Sequence, residues 1–119
     1  MIIKTIDLQA KEWFDKVNGN SYFSAKIILN YGMKKKVEFF ESAKGFNVVR
    51  DAEKTINIRF QYGYGDQYES EAKAILTEHN YISANYMQCL SRYCRENDII
   101  FRSSKQAGCK KRDCINFVN

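Results

Sequence analysis

Residues 55–62 read Thr-Ile-Asn-Ile-Arg-Phe-Gln-Tyr, a strict alternation that puts Ile56, Ile58, Phe60 and Tyr62 on one side. A period of two marks a strand with one buried face. Gly63 and Gly65 then break the run, and from Asp66 the apolar spacing changes. Tyr68, Ala72, Ile75, Leu76 and His79 recur at helical intervals. One strand therefore hands to one helix through a turn rich in glycine and tyrosine, and both apolar sides must face one core. Asp66 stands where an N-cap belongs, with Glu69 three residues on, the spacing of a capping box. Glu69 and Glu71 also suit the positive end of the helix dipole.

The remaining elements follow from similar signals. Residues 1–8 read as a first strand, with Ile2, Ile6 and Leu8 on one side. Residues 9–16 fit a helical turn through Ala10, Trp13, Phe14 and Val17, yet the Asn18-Gly19 pair that follows is a hairpin signal of type I′. Beyond it Phe23, Ala25, Ile27, Leu29 and Tyr31 alternate cleanly as a strand, and Trp13-Phe14 and Tyr22-Phe23 flank the hairpin as aromatic pairs. A turn at 31–34, a short strand at 37–40 and a polar connection at 45–54 are expected next. After the first helix, Ser83 caps a second whose face is Tyr86, Leu90, Tyr93 and Cys94, ended by Asn97. Strands at 99–103 and 114–118 close the chain, separated by the loop 105–112. Strands grouped with strands and helices with helices predict an α+β fold. The expected architecture is an antiparallel sheet of about five to six strands with two consecutive helices packed on one face. At 119 residues, positions 1–119 are expected to form a single domain.

Composition narrows the function classes. Hydrophobic residues at 45% and charged residues at 28% are what a soluble folded chain needs, and no run approaches a membrane span. The first residues lack the long apolar segment of a signal peptide, so a cytoplasmic location is expected. The four cysteines, at 89, 94, 109 and 114, are then expected as reduced thiols. Zinc is disfavoured, because ligand pairs usually lie two to four residues apart, whereas Cys89 and Cys94 fall about 140° apart around a helix. Neither a metal nor another cofactor is expected.

Catalytic constellations are equally hard to assemble. His79 is the only histidine, so a His-assisted nucleophile or a multi-histidine metal site cannot form within one chain. A packing role on the helix face is expected for it. The Gly63-Tyr64-Gly65 turn sits where a phosphate loop would, but it lacks the third glycine and any following Lys-Ser/Thr, and the helix start is acidic. The chain therefore reads as a non-enzymatic binding protein. Tyr62, Tyr64 and Tyr68, around a turn and a helix start, are the candidate contact residues, since tyrosine and arginine carry much interface energy. The net charge of +5 concentrates at Lys34, Lys35 and Lys36 and again at Lys110, Lys111 and Arg112. These two clusters are candidates for electrostatic contact with a protein surface or, alternatively, with nucleic acid. Which one holds turns on whether both clusters converge on one face with aromatics between them. A homodimer is also open.

The segments 10–24 (Ala-Lys-Glu-Trp-Phe-Asp-Lys-Val-Asn-Gly-Asn-Ser-Tyr-Phe-Ser) and 60–68 (Phe-Gln-Tyr-Gly-Tyr-Gly-Asp-Gln-Tyr) resemble small uncharacterised proteins of phages and mobile elements in gut bacteria. The resemblance spans roughly residues 3–97, with 33–54 as a longer version of a shorter loop. It implies context and no residue roles: phage proteins of this size without catalytic motifs are often inhibitors of host defence, anti-CRISPR proteins among them. The partner it implies is a host protein or nucleoprotein.

Overall fold

The computed structural model describes residues 3–31, 36–40, 45–49 and 53–119, the two short middle stretches as backbone only. The first two strands, β1 (Thr5–Asp15) and β2 (Asn20–Asn30), form an antiparallel hairpin in continuous register from Thr5↔Asn30 to Asp15↔Asn20. The helical reading of residues 9–16 is thus corrected. Ala10 pairs with Ala25 and Trp13 with Tyr22, and this long ladder overrides the local helical spacing. The connection is also not a two-residue turn. It spans residues 16–19, and only Gly19 takes a positive φ, of 71°. Asp15 sets this loop. Its carboxylate accepts the Val17 and Asn18 amide hydrogens at 3.0 and 3.3 Å and the Asn18 side-chain amide at 2.8 Å.

Two further strands complete the sheet. The strand predicted at 55–62 becomes β5 (Glu53–Tyr62), antiparallel to β2, while β6 (Ile100–Gln106) lies parallel to β1, giving the order β5-β2-β1-β6. Between them in sequence, β3 (Lys36–Phe40) and β4 (Gly45–Val49) pair with each other in a separate antiparallel ribbon. The α+β class holds, but the sheet is mixed and four-stranded. The parallel pair follows from the intervening helices, which carry the chain back to the end from which β5 started. The polar connection expected at 45–54 instead holds β4 and the start of β5. Lys35 and, beyond Tyr31, the turn expected at 31–34 with its Lys34 lie outside the described residues.

The helices are α1 (Gln67–Glu78), α2 (Leu90–Glu96) and α3 (Lys111–Phe117). Tyr68, Ala72 and Leu76 of α1 are buried in one cluster with Ile6, Leu8, Phe23, Ala25, Ile27, Leu29 and Ile58 of the sheet and Leu90 and Cys94 of α2. Two helices therefore pack on one face, but the second begins at Leu90 and not at Ser83. The strand expected at 114–118 is instead α3, and it covers the other face. Ser24, between the core residues Phe23 and Ala25, points away from the core, is fully buried, and donates its hydroxyl to the Cys114 carbonyl at 2.6 Å.

Several local expectations also change. Asp66 occupies the N-cap position without a side-chain cap bond, and the Glu69 carboxylate instead accepts the Ser103 hydroxyl at 2.9 Å. His79 is exposed at the C-cap of α1 instead of packing on its apolar face. Residues 83–89 form a loop in place of a first helical turn. Lys73 Nζ donates to the Asn85 and Tyr86 carbonyls at 2.9 and 3.3 Å, which holds that loop open. The ends of α1 and α2 are Schellman closures, with Asn80 and Asp98 at φ 63° and 57°, so the left-handed residue of α2 is one beyond the expected Asn97. Among the described residues no helix is long and apolar enough to cross a membrane.

Candidate functional site

A bulge in β5 builds the site. The register passes from Tyr22↔Tyr62 and Phe23↔Gln61 to Ala25↔Ile58, so Arg59 and Phe60 together oppose Ser24. One extra residue reverses the alternation. Ile58 stays in the core at 1% exposure, while Phe60 and Tyr62 turn to the face carrying α3. The common side expected for Ile56, Ile58, Phe60 and Tyr62 is therefore split in two.

On that second face the aromatic rings run in a contiguous ladder. Trp13 and Tyr22, direct cross-strand partners, have ring centroids 5.5 Å apart. Tyr22 stacks on Phe60 at 5.4 Å with planes 15° apart, and meets Tyr62 edge-on at 5.7 Å. Tyr64 continues the row at 6.3 Å from Tyr62. Each such pair contributes about 0.5–1.5 kcal/mol beyond the area it buries, so the ladder is held rigidly by its own contacts. Its outer end lies open to solvent, with Tyr62 52% and Tyr64 64% exposed. The turn beneath is fixed by Gly63, whose amide donates to the Ser21 carbonyl at 3.0 Å, and by Gly65, at φ 61°.

Cations border the inner end. Lys111, at the start of α3, places Nζ 5.6 Å from the centre of the Trp13 ring, a cation–π contact. Lys11 and Lys26 flank the Phe117 ring at 4.9 and 4.8 Å. The nearby Asp15 carboxyl is held below the usual carboxylate range, chiefly by the Asn18 side-chain bond and to a smaller extent by the Lys111 charge.

The nine residues singled out from the sequence thus separate. Tyr62 and Tyr64 stand on the open end of the ladder. Tyr68 does not: it is 6% exposed within the core, where burial pushes its hydroxyl pKa up and Lys105 Nζ lies 5.9 Å from its ring centre. Lys110, Lys111 and Arg112 are all exposed around the start of α3, and Lys111 reaches Trp13. Lys36 opens β3, and Lys34 and Lys35 lie outside the described residues, so the expected convergence of the two basic clusters lies outside them too. The sequence reading missed Trp13, Tyr22 and Phe60 as site residues. Trp13 and Tyr22 carry a signal as hairpin aromatics, whereas the alternation of 55–62, which the bulge interrupts, sets Phe60 on the core side.

The thiols divide by burial. All four are free. Cys89 is exposed beside α2, where the Ser91 hydroxyl at 3.4 Å and backbone amides hold its pKa down. Burial pushes Cys94 and Cys114 up to about 11. Because the thiolate is the nucleophile, iodoacetamide at neutral pH is expected to label Cys89 first and Cys109 next, sparing Cys94 and Cys114 until urea is added. Peptide mass mapping checks the order, and equal labelling of Cys94 and Cys89 in the native protein would contradict it. Among the described residues no group of three or more His, Cys, Asp or Glu side chains is placed to hold a metal ion.

No family model, curated protein or solved structure matches this chain.

Proposed function

We propose that this protein is a non-enzymatic binding protein, encoded by a phage, that inhibits a bacterial defence system by docking on a host protein or nucleoprotein in the cytoplasm. The docking surface is the ladder Trp13–Tyr22–Phe60–Tyr62–Tyr64 together with the cationic start of α3. One observation carries this reading. The two segments that resemble phage proteins, 10–24 and 60–68, meet in space to make the ladder: Trp13 and Tyr22 come from the first, Phe60, Tyr62 and Tyr64 from the second. Rigid aromatic side chains with polar tips bind at low entropic cost, and a cluster fixed before binding loses little freedom on association.

The reading is tested by producing the protein in bacteria that carry an active CRISPR system and plating a phage which that system targets. Plaque numbers are expected to rise, and a triple variant Tyr62→Ser/Tyr64→Ser/Lys111→Glu is expected to return them to the level of cells lacking the protein. No rise in hosts representing the main CRISPR types, together with none in hosts carrying restriction systems, sinks the proposal.

A further inference from the structure

We propose that the ladder and the start of α3 bind single-stranded nucleic acid, so that the strand of a host nucleoprotein is what the protein grips. This deepens the docking reading above and rests on it. Three observations point the same way.

The first is the pairing of ring faces with cations. Tyr62 and Tyr64 offer half-exposed rings, and the row runs unbroken from them to Trp13, where Lys111 sits. Stacking platforms flanked by phosphate-binding cations are how proteins hold unpaired strands without reading their sequence. A duplex keeps its bases stacked on one another and cannot use the rings. An acidic protein surface would use the cations but not the rings, because an aromatic face is itself negative and repels carboxylates.

The second is the distribution of charge. On the core side of the sheet Asp66, Glu69, Glu71 and Glu78 stand among the cations Lys73, Arg92, Arg95 and Lys105. The ladder side carries Lys11, Lys26, Lys110, Lys111 and Arg112.

The third is that three carboxylates on the ladder side, those of Asp7, Asp15 and Asp113, are already engaged. Asp15 accepts from Val17 and Asn18, Asp7 accepts from Arg102 at 2.8 Å, and Asp113 accepts from the Lys110 amide at 3.4 Å. A phosphate approaching Lys111 therefore meets acids whose charge is partly compensated.

Trp13 is the only tryptophan, so its fluorescence reports from within the site. The 119-residue protein is titrated with oligo-uridine and oligo-thymidine of about ten nucleotides, with a duplex of equal length, and with heparin, across a salt series. Single strands are expected to quench Trp13 emission where the duplex does not. Tyr62→Ser and Tyr64→Ser are each expected to weaken binding about tenfold, and Lys111→Glu to reduce the salt slope by about one. Tyr86→Ser, an exposed tyrosine on the α1 side, is expected to change nothing. The two oligomers run side by side separate RNA from DNA.

No quenching at low salt overturns the inference. So does equal binding of duplex and heparin that ignores the tyrosine substitutions, which would mean cationic adhesion alone. If strands do not bind while plaque protection still requires Tyr62, Tyr64 and Lys111, the docking reading stands on a protein partner and only this inference falls. If protection ignores those residues as well, both fall.

Discussion

Replacing Gly63 by alanine is expected to destabilise the protein by about 2–3 kcal/mol, the upper part of the range for overpacked cores, and to lower its melting temperature by about 10 °C for a domain of this size. A methyl group built on Gly63 would lie 2.5 Å from Phe23 Cε1, 2.9 Å from Cδ1 and 3.1 Å from Gln67 Cδ. Gln67 is exposed and can swing aside. Phe23 cannot, since it is 2% exposed and packed in the central cluster. Nor can the backbone retreat easily, because the Gly63 amide is bonded to Ser21. Gly19 and Gly65 make the comparison. A methyl there meets nothing within 4 Å, and the cost is only that of a side chain at positive φ, about 1–2 kcal/mol. The cause is tested by coupling. Phe23→Leu shortens the ring that blocks the methyl, so Gly63→Ala/Phe23→Leu is expected to be more stable than the two single effects summed, by about 1 kcal/mol or more. Additive effects in urea unfolding, or a Gly63→Ala melting point within about 2 °C of the parent, would refute the account. The displaced Gly63 backbone also carries Tyr62 and Tyr64, so strand binding and stability should fall together in this variant.

How much of this was legible in the sequence depends on the range of the interaction that decided each element. Phe23, Ala25, Ile27 and Leu29 alternate because one face of β2 is buried, and the pattern sits in neighbouring residues. Tyr68, Ala72 and Leu76 likewise share a helical stripe, so periodicity alone places Tyr68 inside, against its appeal as a contact residue. The errors lie where distant groups decide. Residues 114–118, Cys-Ile-Asn-Phe-Val, have the composition of a strand. They are held in or beside a helix by Ser24, which binds the Cys114 carbonyl, by Asn57, whose amide donates to the Val118 carbonyl at 3.1 Å, and by Lys11 and Lys26 around Phe117. The loop at 83–89 is set by Lys73, a residue of the preceding helix.

The site was legible in part for the same reason. Tyr62 and Tyr64 stand at a turn, and turns face solvent whatever the fold. The β5 bulge has no local signature: Ile56, Ile58, Phe60 and Tyr62 alternate without fault in the sequence. Only the pairing with β2 shows that Phe60 and Tyr62 have changed sides. A reading that followed the alternation had to place Phe60 in the core and could not join Trp13 and Tyr22 to the turn tyrosines.

Between pH 9 and pH 10 the protein is expected to lose about 2 kcal/mol of stability, and Cys94 and Cys114 are the reason. In the unfolded chain both thiols titrate near 9.0; in the folded protein burial pushes both up to about 11, with Cys109 and Asp113 adding to the effect at Cys114. Below pH 9 both states hold these protons and the stabilisation is complete. Above it the unfolded chain releases protons that the folded chain keeps, so each pH unit shifts the balance toward unfolding by about 1.4 kcal/mol per thiol until the folded pKa is reached. Tyr31 and Tyr68, whose pKa values are raised from 10.0 by burial, act in the same direction chiefly above pH 10, so the thiols dominate the interval from 9 to 10. Cys89 shifts the opposite way, and a Cys89→Ser background removes it from the comparison. Urea unfolding in that background, with and without Cys94→Ala and Cys114→Ala, measures the slope directly. The slope should fall by about half with either alanine and nearly vanish with both. A slope that survives the double substitution would place the alkaline loss elsewhere. The single substitutions carry further information, because Cys94 belongs to the central cluster and Cys114 to α3. If the Cys114 share appears as alkylation of that thiol without loss of the sheet signal, α3 lifts off as a unit above pH 9. Strand binding should then decline over the same interval, because Lys111 leaves Trp13 when α3 does.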